Sequence, residues 1–270
     1  MPGFRYPLAI QTTLPDAYRH DPLFIGSLKA LQESGFDGVE LNIRDPRRED
    51  PLALAGFLAD FGLSFSMLAT GIAARSEGLS LAATDEARRR ESVQWTLECL
   101  AFASTIKGGV IAGFLKGTMA ENTPAHRAQL ECSIAEIAPE ALRLRTPFLV
   151  EAINRFESPL GHSLAEVHEL IRASENPCLQ MLPDTWHMSI EESPMDAALI
   201  RFKDHYTSVH LSDDNRLLPG FGGLDFERII GVLDGLGYRG KLAIEGNVKV
   251  SFVEDARMSA DYLRPILRAG

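Results

Sequence analysis

Val209-His210-Leu211-Ser212-Asp213-Asp214-Asn215-Arg216 continues through Leu217-Leu218-Pro219-Gly220-Phe221-Gly222-Gly223-Leu224 to Asp225. A short apolar run ends in a histidine. A polar turn with an arginine follows, then a Pro/Gly-rich loop, then an aspartate placed to cap the next helix. The pattern is that of a β-strand whose C-terminal end delivers polar side chains into a loop. In an α/β barrel, active sites gather at that end of the strands. Three other stretches of the chain finish in the same way, each with an acid.

Outward from this stretch, short apolar runs alternate with longer amphipathic ones. Strands are expected at Tyr6–Gln11, Val39–Leu41, Ser64–Ala69, Val110–Phe114, Phe148–Ile153, Cys178–Leu182, Thr207–Leu211 and Leu242–Glu245. Helices are expected at Leu23–Glu33, Leu52–Asp60, Thr84–Thr105, Pro124–Leu144, Ser163–Ala173, Pro194–Phe202, Phe226–Leu236 and Val253–Leu267. Thr84 or Asp85 caps the third helix, and Ser163 with Glu166 has capping-box spacing. Strands alternating with helices imply a parallel sheet. Eight such pairs in 270 residues favour a closed (β/α)8 TIM barrel over an open sheet, as one domain spanning 1–270.

Bulk composition narrows the function. A chain with 45% hydrophobic residues can bury a large core. Its net charge of −10 disfavours a nucleic-acid partner, which needs clustered Lys and Arg. Cys99, Cys132 and Cys178 are odd in number and lack CxxC spacing, so reduced, buried thiols in a cytoplasmic protein are expected. MPGFRYPLAIQT is not a secretory signal, and no apolar run is long enough to span a bilayer, so no membrane partner is expected.

Four consecutive strands end in a metal-ligand type: Glu151, Asp184, His210 and Glu245. Adjacent strands lie about 4.8 Å apart, so these side chains can converge. Any one of them alone reads as a solvated rim acid or a satisfied core histidine. Three carboxylates buried together without a cation would repel one another strongly. A divalent ion resolves this, and three oxygen donors with one nitrogen suit Mn²⁺, Co²⁺ or Mg²⁺. A metal flanked by two glutamates suggests proton chemistry beside a carbonyl: one carboxylate removes a carbon-bound proton and the other returns one.

The strings VEAINRFE, LPDTWHMSIEE, VHLSDDNRLLPGFGGLDF and LAIEG resemble those of the xylose-isomerase-like TIM barrels, in their sugar isomerase/epimerase branch. They are most similar to ketose 3-epimerases of the D-tagatose 3-epimerase and L-ribulose 3-epimerase type, which carry EPxNRYE, LDTFHMNIEE and HxxxxxRxxPGxGxxD. The resemblance is close in the second half of the chain; FDGVEL is a weak echo in the first. It implies an isomerase, a metal-dependent 3-epimerase of free keto-sugars that inverts C3 through a metal-bound cis-enediolate. Glu151, Asp184, His210 and Glu245 would hold one divalent ion, with Mn²⁺ ahead of Co²⁺ or Mg²⁺. Glu151 and Glu245 would be the acid/base pair, and His187, Arg216 and Glu157 would contact substrate. Relatives of this type form dimers or tetramers, so a homo-oligomer is expected.

Departures from the family strings cluster around the pocket: Ala152 for Pro, Pro183 for Leu, Phe156 for Tyr, Trp186 for Phe and Gly223 for His. They leave the acid/base set intact and point to a different sugar. The alternatives are an aldose–ketose isomerase of the hydroxypyruvate isomerase kind, or an epimerase or isomerase of keto sugar-acids whose carboxylate Arg216 would meet. More remote are an abasic-site endonuclease and a non-catalytic sugar-binding barrel. Glu40 reads as a structural or rim acid, Glu157 as a possible ion-pair partner of Arg155, and Arg88-Arg89-Arg90 as a solvated helix face. Glycines 220, 222 and 223 are expected to let the loop after His210 run close to the pocket.

Overall fold

The computed structural model describes residues 4–267. Its strands are β1 (Leu8–Thr13), β2 (Gly38–Asn42), β3 (Ser64–Ala69), β4 (Gly109–Ala112), β5 (Phe148–Glu151), β6 (Leu179–Leu182), β7 (Ser208–Leu211) and β8 (Lys241–Ile244). The helices are α1 (Pro22–Ser34), α2 (Pro51–Ala59), α3 (Gly71–Glu77), α4 (Glu86–Thr105), α5 (Pro124–Leu144), α6 (Leu164–Ile171), α7 (Thr185–Glu191), α8 (Met195–Arg201), α9 (Phe226–Gly235) and α10 (Phe252–Leu267). All ladders are parallel, in the order β6-β5-β4-β3-β2-β1-β8-β7.

The barrel closes between β6 and β7 through single contacts. Met181 N donates to His205 O at 2.8 Å, His210 N donates to Pro183 O at 2.8 Å, and Asp184 and His210 form an isolated bridge. Pro183 has no N–H to give a ladder, so the seam is irregular where two of the functional strands meet.

Period-two alternation divides each strand between two cores. Val39, Leu41, Val110, Phe148, Val150, Val209, Leu211, Leu242 and Ile244 face outward, fully buried beneath the helices. Met67, Ile111, Leu149 and Leu182 form a separate small cluster inside the barrel. Two residues further along their strands, on the same inner face, come Glu151 and Asp184. The interior is therefore apolar up to one layer and charged in the next.

Helix starts are set by acids. Asp21, Asp50, Asp85 and Asp225 accept backbone N–H groups at the first turns of α1, α2, α4 and α9. Among the described residues no helix is long and apolar enough to cross a membrane.

Several expectations are corrected. The short helices α3 and α7 were not legible, because a seven-residue helix has too few turns for a periodic stripe. The strand at Val110 stops at Ala112, and Phe114–Lys116 is a 3-10 turn instead. The strand at Phe148 stops at Glu151. Ser163 caps α6 through Glu166 N, but the Glu166 carboxylate takes the His162 N–H at 3.0 Å, so the capping box is one-sided. Arg89 is not solvated: it is buried against Glu86, Glu136 and Ser133, tying α4 to α5. Only Cys99 of the three thiols is buried; Cys132 is exposed and Cys178 half-buried.

Candidate active site

The ligand atoms of Glu151, Asp184, His210 and Glu245 all lie within 4.8 Å of one another. Glu151 ends β5, Asp184 follows β6, His210 lies in β7 and Glu245 follows β8. His210 Nδ1 is 3.5 Å from Glu151 Oε1, 3.9 Å from Asp184 Oδ2 and 2.6 Å from Glu245 Oε2. Glu151 Oε1, His210 Nδ1 and Glu245 Oε2 are buried without a hydrogen-bond partner. Buried polar atoms are normally satisfied, so three unsatisfied donor atoms facing a common point fit a cation in their midst.

Each of these side chains is held from behind. Asp184 is the N-cap of α7: Oδ1 accepts from Trp186 N at 2.9 Å and His187 N at 3.0 Å. Its helix role fixes its orientation and leaves Oδ2 for the cluster. His210 Nε2 is 2.9 Å from Glu40 Oε2, and both residues are wholly buried. A carboxylate there favours the tautomer with Nε2 protonated and the Nδ1 lone pair turned to the cluster, the usual support for a ligating histidine. Glu40 is thus no rim acid. It sits one inward position below Asn42 on β2 and reaches beneath the cluster to His210.

Lys116, also fully buried, donates to the Glu151 carbonyl and to Gly161 O, pinning the end of β5. Burial pulls its pKa down to about 8. The sequence offers a signal for Glu40, an acid in the middle of the apolar run Val39–Leu41, but none for Lys116.

The two glutamates sit in unlike environments. Burial, then the neighbouring Glu245 charge, pushes the Glu151 pKa up to about 7. Burial also opposes the Glu245 charge, but Arg216 and His210 outweigh it and hold that carboxyl well below its usual value.

His187 is buried beside the cluster, with Nε2 4.0 Å from Glu151 Oε1. Asn154 N donates to His187 Nδ1 at 3.3 Å, which leaves the proton on Nε2. Burial lowers the His187 pKa to about 4, so the ring is neutral and a hydrogen-bond donor toward the cluster at neutral pH.

Arg216 bonds Asp184 Oδ2 at 2.8 Å and Glu245 Oε1 at 3.0 Å, and stacks 4.7 Å from the Trp186 ring. It therefore lies on the cluster. Its φ of 62° is unusual outside glycine and clusters at functional sites. Asn247 N donates to Arg216 O at 2.7 Å, and a Cβ on Gly246 would fall 2.9 Å from the Leu217 carbonyl carbon, so glycine is needed where β8 passes this turn. Glu157 is half-buried in the turn after β5 and is not drawn to the cluster; Arg155 pairs with Glu191 at 2.6 Å, not with Glu157.

The glycine loop has a different purpose from the one expected. The buried Asp213 carboxylate accepts N–H groups from Gly220, Gly222 and Leu224. A Cβ at Gly222 would lie 2.5 Å from Asp213 Oδ1. The loop is folded around Asp213 and Asp214, and Gly222 serves that close approach, whereas Gly220 lies against the Tyr262 ring with a φ of 93°.

A cavity of about 160 Å³ opens over the site. Glu151 and Glu245 line it, whereas Asp184 and His210 do not. Its other walls include Gln11, Asn42, Thr70 and Phe114, from the ends of β1 to β4. Asn42 Nδ2 donates to Gln11 Oε1 at 2.9 Å, ordering both amides. A larger cavity, about 460 Å³, lies at the opposite end of the barrel around Lys107, Tyr206 and Lys241, and holds no such cluster.

The model of the xylose isomerase-like TIM barrel family matches residues 28–266. L-ribulose 3-epimerase of Mesorhizobium japonicum is 28% identical over 230 residues, covering 81% of this chain and 74% of that protein. Ketose 3-epimerase of Arthrobacter globiformis is 27% identical, covering 81% and 76%. The crystal structure of 3-keto-D-glucoside 4-epimerase from E. coli superposes with a TM-score of 0.82 at 21% identity, over 96% of this chain and 99% of that one. That last likeness is one of fold.

Proposed function

Because the chain belongs to the xylose isomerase-like TIM barrel family, we propose that it is a divalent-metal-dependent epimerase of keto-sugars that inverts C3. The two 3-epimerases named above are isomerase-class enzymes acting on sugars, which supports an enzyme of that class here. The observation that carries the reading is the division of the cluster: two glutamates face the cavity, while Asp184 and His210 stand behind them.

Glu151, Asp184, His210 and Glu245 would hold the ion, with Mn²⁺ first among the candidates for this oxygen-rich set. When bound, such an ion polarises a ketone oxygen and offsets the negative charge that develops on it. The protein's own groups do the rest. One of Glu151 and Glu245 takes the proton from C3, giving an enediolate, and the other returns a proton to the opposite face. Which glutamate begins depends on the configuration of the sugar. The neutral His187 donates its Nε2–H to a substrate oxygen near Glu151. Arg216 holds Glu245 ionised and fixes its direction. Glu157 lies further out along the same loop, where it would meet a hydroxyl of the sugar.

Glu245→Gln tests the scheme, since it keeps the shape of the side chain and removes the base. Turnover and solvent-deuterium incorporation at C3 should fall together by about 10²–10⁴-fold. A Gln variant that epimerises at the wild-type rate would rule the mechanism out.

A further inference from the structure

We propose that the substrate of this site carries an anionic group, a carboxylate or a phosphate, at the end of the keto-sugar remote from the reacting carbon, and that Arg75 receives it. This rests on the epimerase reading and adds the substrate class to it.

Arg75 lies in α3, the short helix that follows β3, and lines the same cavity as Glu151 and Glu245. Its guanidinium carbon sits 3.7 Å from the centroid of the Phe114 ring. Stacking of this kind holds the group flat on the aromatic face and leaves its edge of N–H donors free to act sideways. Phe114 follows Gly113, where a Cβ would fall 2.6 Å from Glu151 Oε2. The residue before Phe114 therefore lies against the Glu151 carboxylate, which sets the ring that carries Arg75 beside the cluster.

The other arginines near the mouth are neutralised: Arg216 by Asp184 and Glu245, Arg155 by Glu191. Arg75 has no carboxylate within ion-pair distance among the described residues, and the polar groups that share its wall, Gln11, Asn42 and Thr70, are neutral. Asn42 and Thr70 are already engaged: Asn42 with Gln11 and Ile72 N, Thr70 with Ile111 O. A guanidinium stacked on Phe114 at the rim of this cavity, with no carboxylate partner among the described residues, is suited to bidentate capture of a carboxylate or phosphate on the molecule inside it. A neutral sugar would leave those donors to water.

Two measurements test this. The first is calorimetric binding of two unreactive polyols, D-glucitol and D-glucitol 6-phosphate, with D-gluconate as the carboxylate arm, to the Mn²⁺-loaded protein. One or both anionic polyols should bind about tenfold to a hundredfold more tightly than glucitol, and the arm that does so identifies the group. In Arg75→Met, which keeps apolar bulk over Phe114, that ratio should collapse toward one, and Arg75→Lys should restore part of it. Arg75 is exposed, so thermal melting of the variants should match the parent.

The second measurement is solvent-deuterium exchange on D-fructose, D-fructose 6-phosphate and D-fructuronate. The charged ketose should be preferred in kcat/KM, with the Arg75→Met loss falling on KM. Equal binding of charged and neutral polyols, or a preference that survives Arg75→Met, overturns the proposal. Tight, Arg75-dependent anion binding with no exchange on any ketose instead defeats the epimerase reading and leaves the anion subsite standing.

Discussion

The two halves of the barrel mouth are built from different chemistry. The ends of β5 to β8 supply three carboxylates, a histidine and an arginine, all within reach of one another. The ends of β1 to β4 supply Gln11, Asn42, Thr70 and a glycine, with Arg75 stacked above them. Charge concentrated on one side can hold a cation and move protons, while neutral amides and hydroxyls on the other can only bind and shape. The barrel thus separates the reaction from the choice of substrate. Glu40 is the exception that joins them: it rises from β2 but acts on His210 in β7.

The largest effect should come from emptying the charged half. A strong chelator should abolish activity, and Mn²⁺ should restore it. Ion at a hundredfold its dissociation constant stabilises a fold by about 2.7 kcal/mol, so melting should rise by roughly 5–10 °C on adding metal. Unchanged melting and activity after chelation would break the contrast between the halves.

Glu40→Gln comes next. It keeps a hydrogen-bonding group beside His210 Nε2 and removes the charge. Metal affinity, measured by titration, should weaken about 10–100-fold, with most of kcat recovered at saturating metal. If affinity is unaltered, Glu40 is a packing residue and the link between the halves is lost.

The smallest effect belongs to the neutral wall. Gln11→Ala removes one amide from the cavity and loosens Asn42. KM should rise about two- to tenfold with kcat nearly constant, the scale of a single hydrogen bond. A collapse of kcat instead would place the β1–β4 side in the chemistry.

The same contrast explains what could be read from the chain. Glu151, Asp184, His210 and Glu245 were legible because an acid or histidine ending an apolar run is conspicuous, and four in a row share one end of the barrel. The eight-fold alternation was legible for the same reason, since long helices such as Pro124–Leu144 carry clear start and stop signals. The neutral wall was silent, because Gln11, Asn42 and Thr70 look like ordinary strand-end residues until the register brings them together. Glu40 was visible, but the sequence left it between a structural and a rim acid, since it does not say that the strand ends one layer higher, at Asn42. Arg75 lay in a helix too short to announce itself. The glycines at 220 and 222 suggested a loop close to the pocket, but the buried Asp213 beside them was the cause.

Site-resolved NMR of the product formed in D₂O by the Mn²⁺-loaded protein tests the central claim most directly. Two glutamates working on opposite faces of one carbon predict a single deuterium, at C3, in the inverted ketose. Deuterium at C1 or C2 with an aldose as product would show an aldose–ketose isomerase, and epimer formed without any deuterium would contradict two glutamates working on opposite faces of C3.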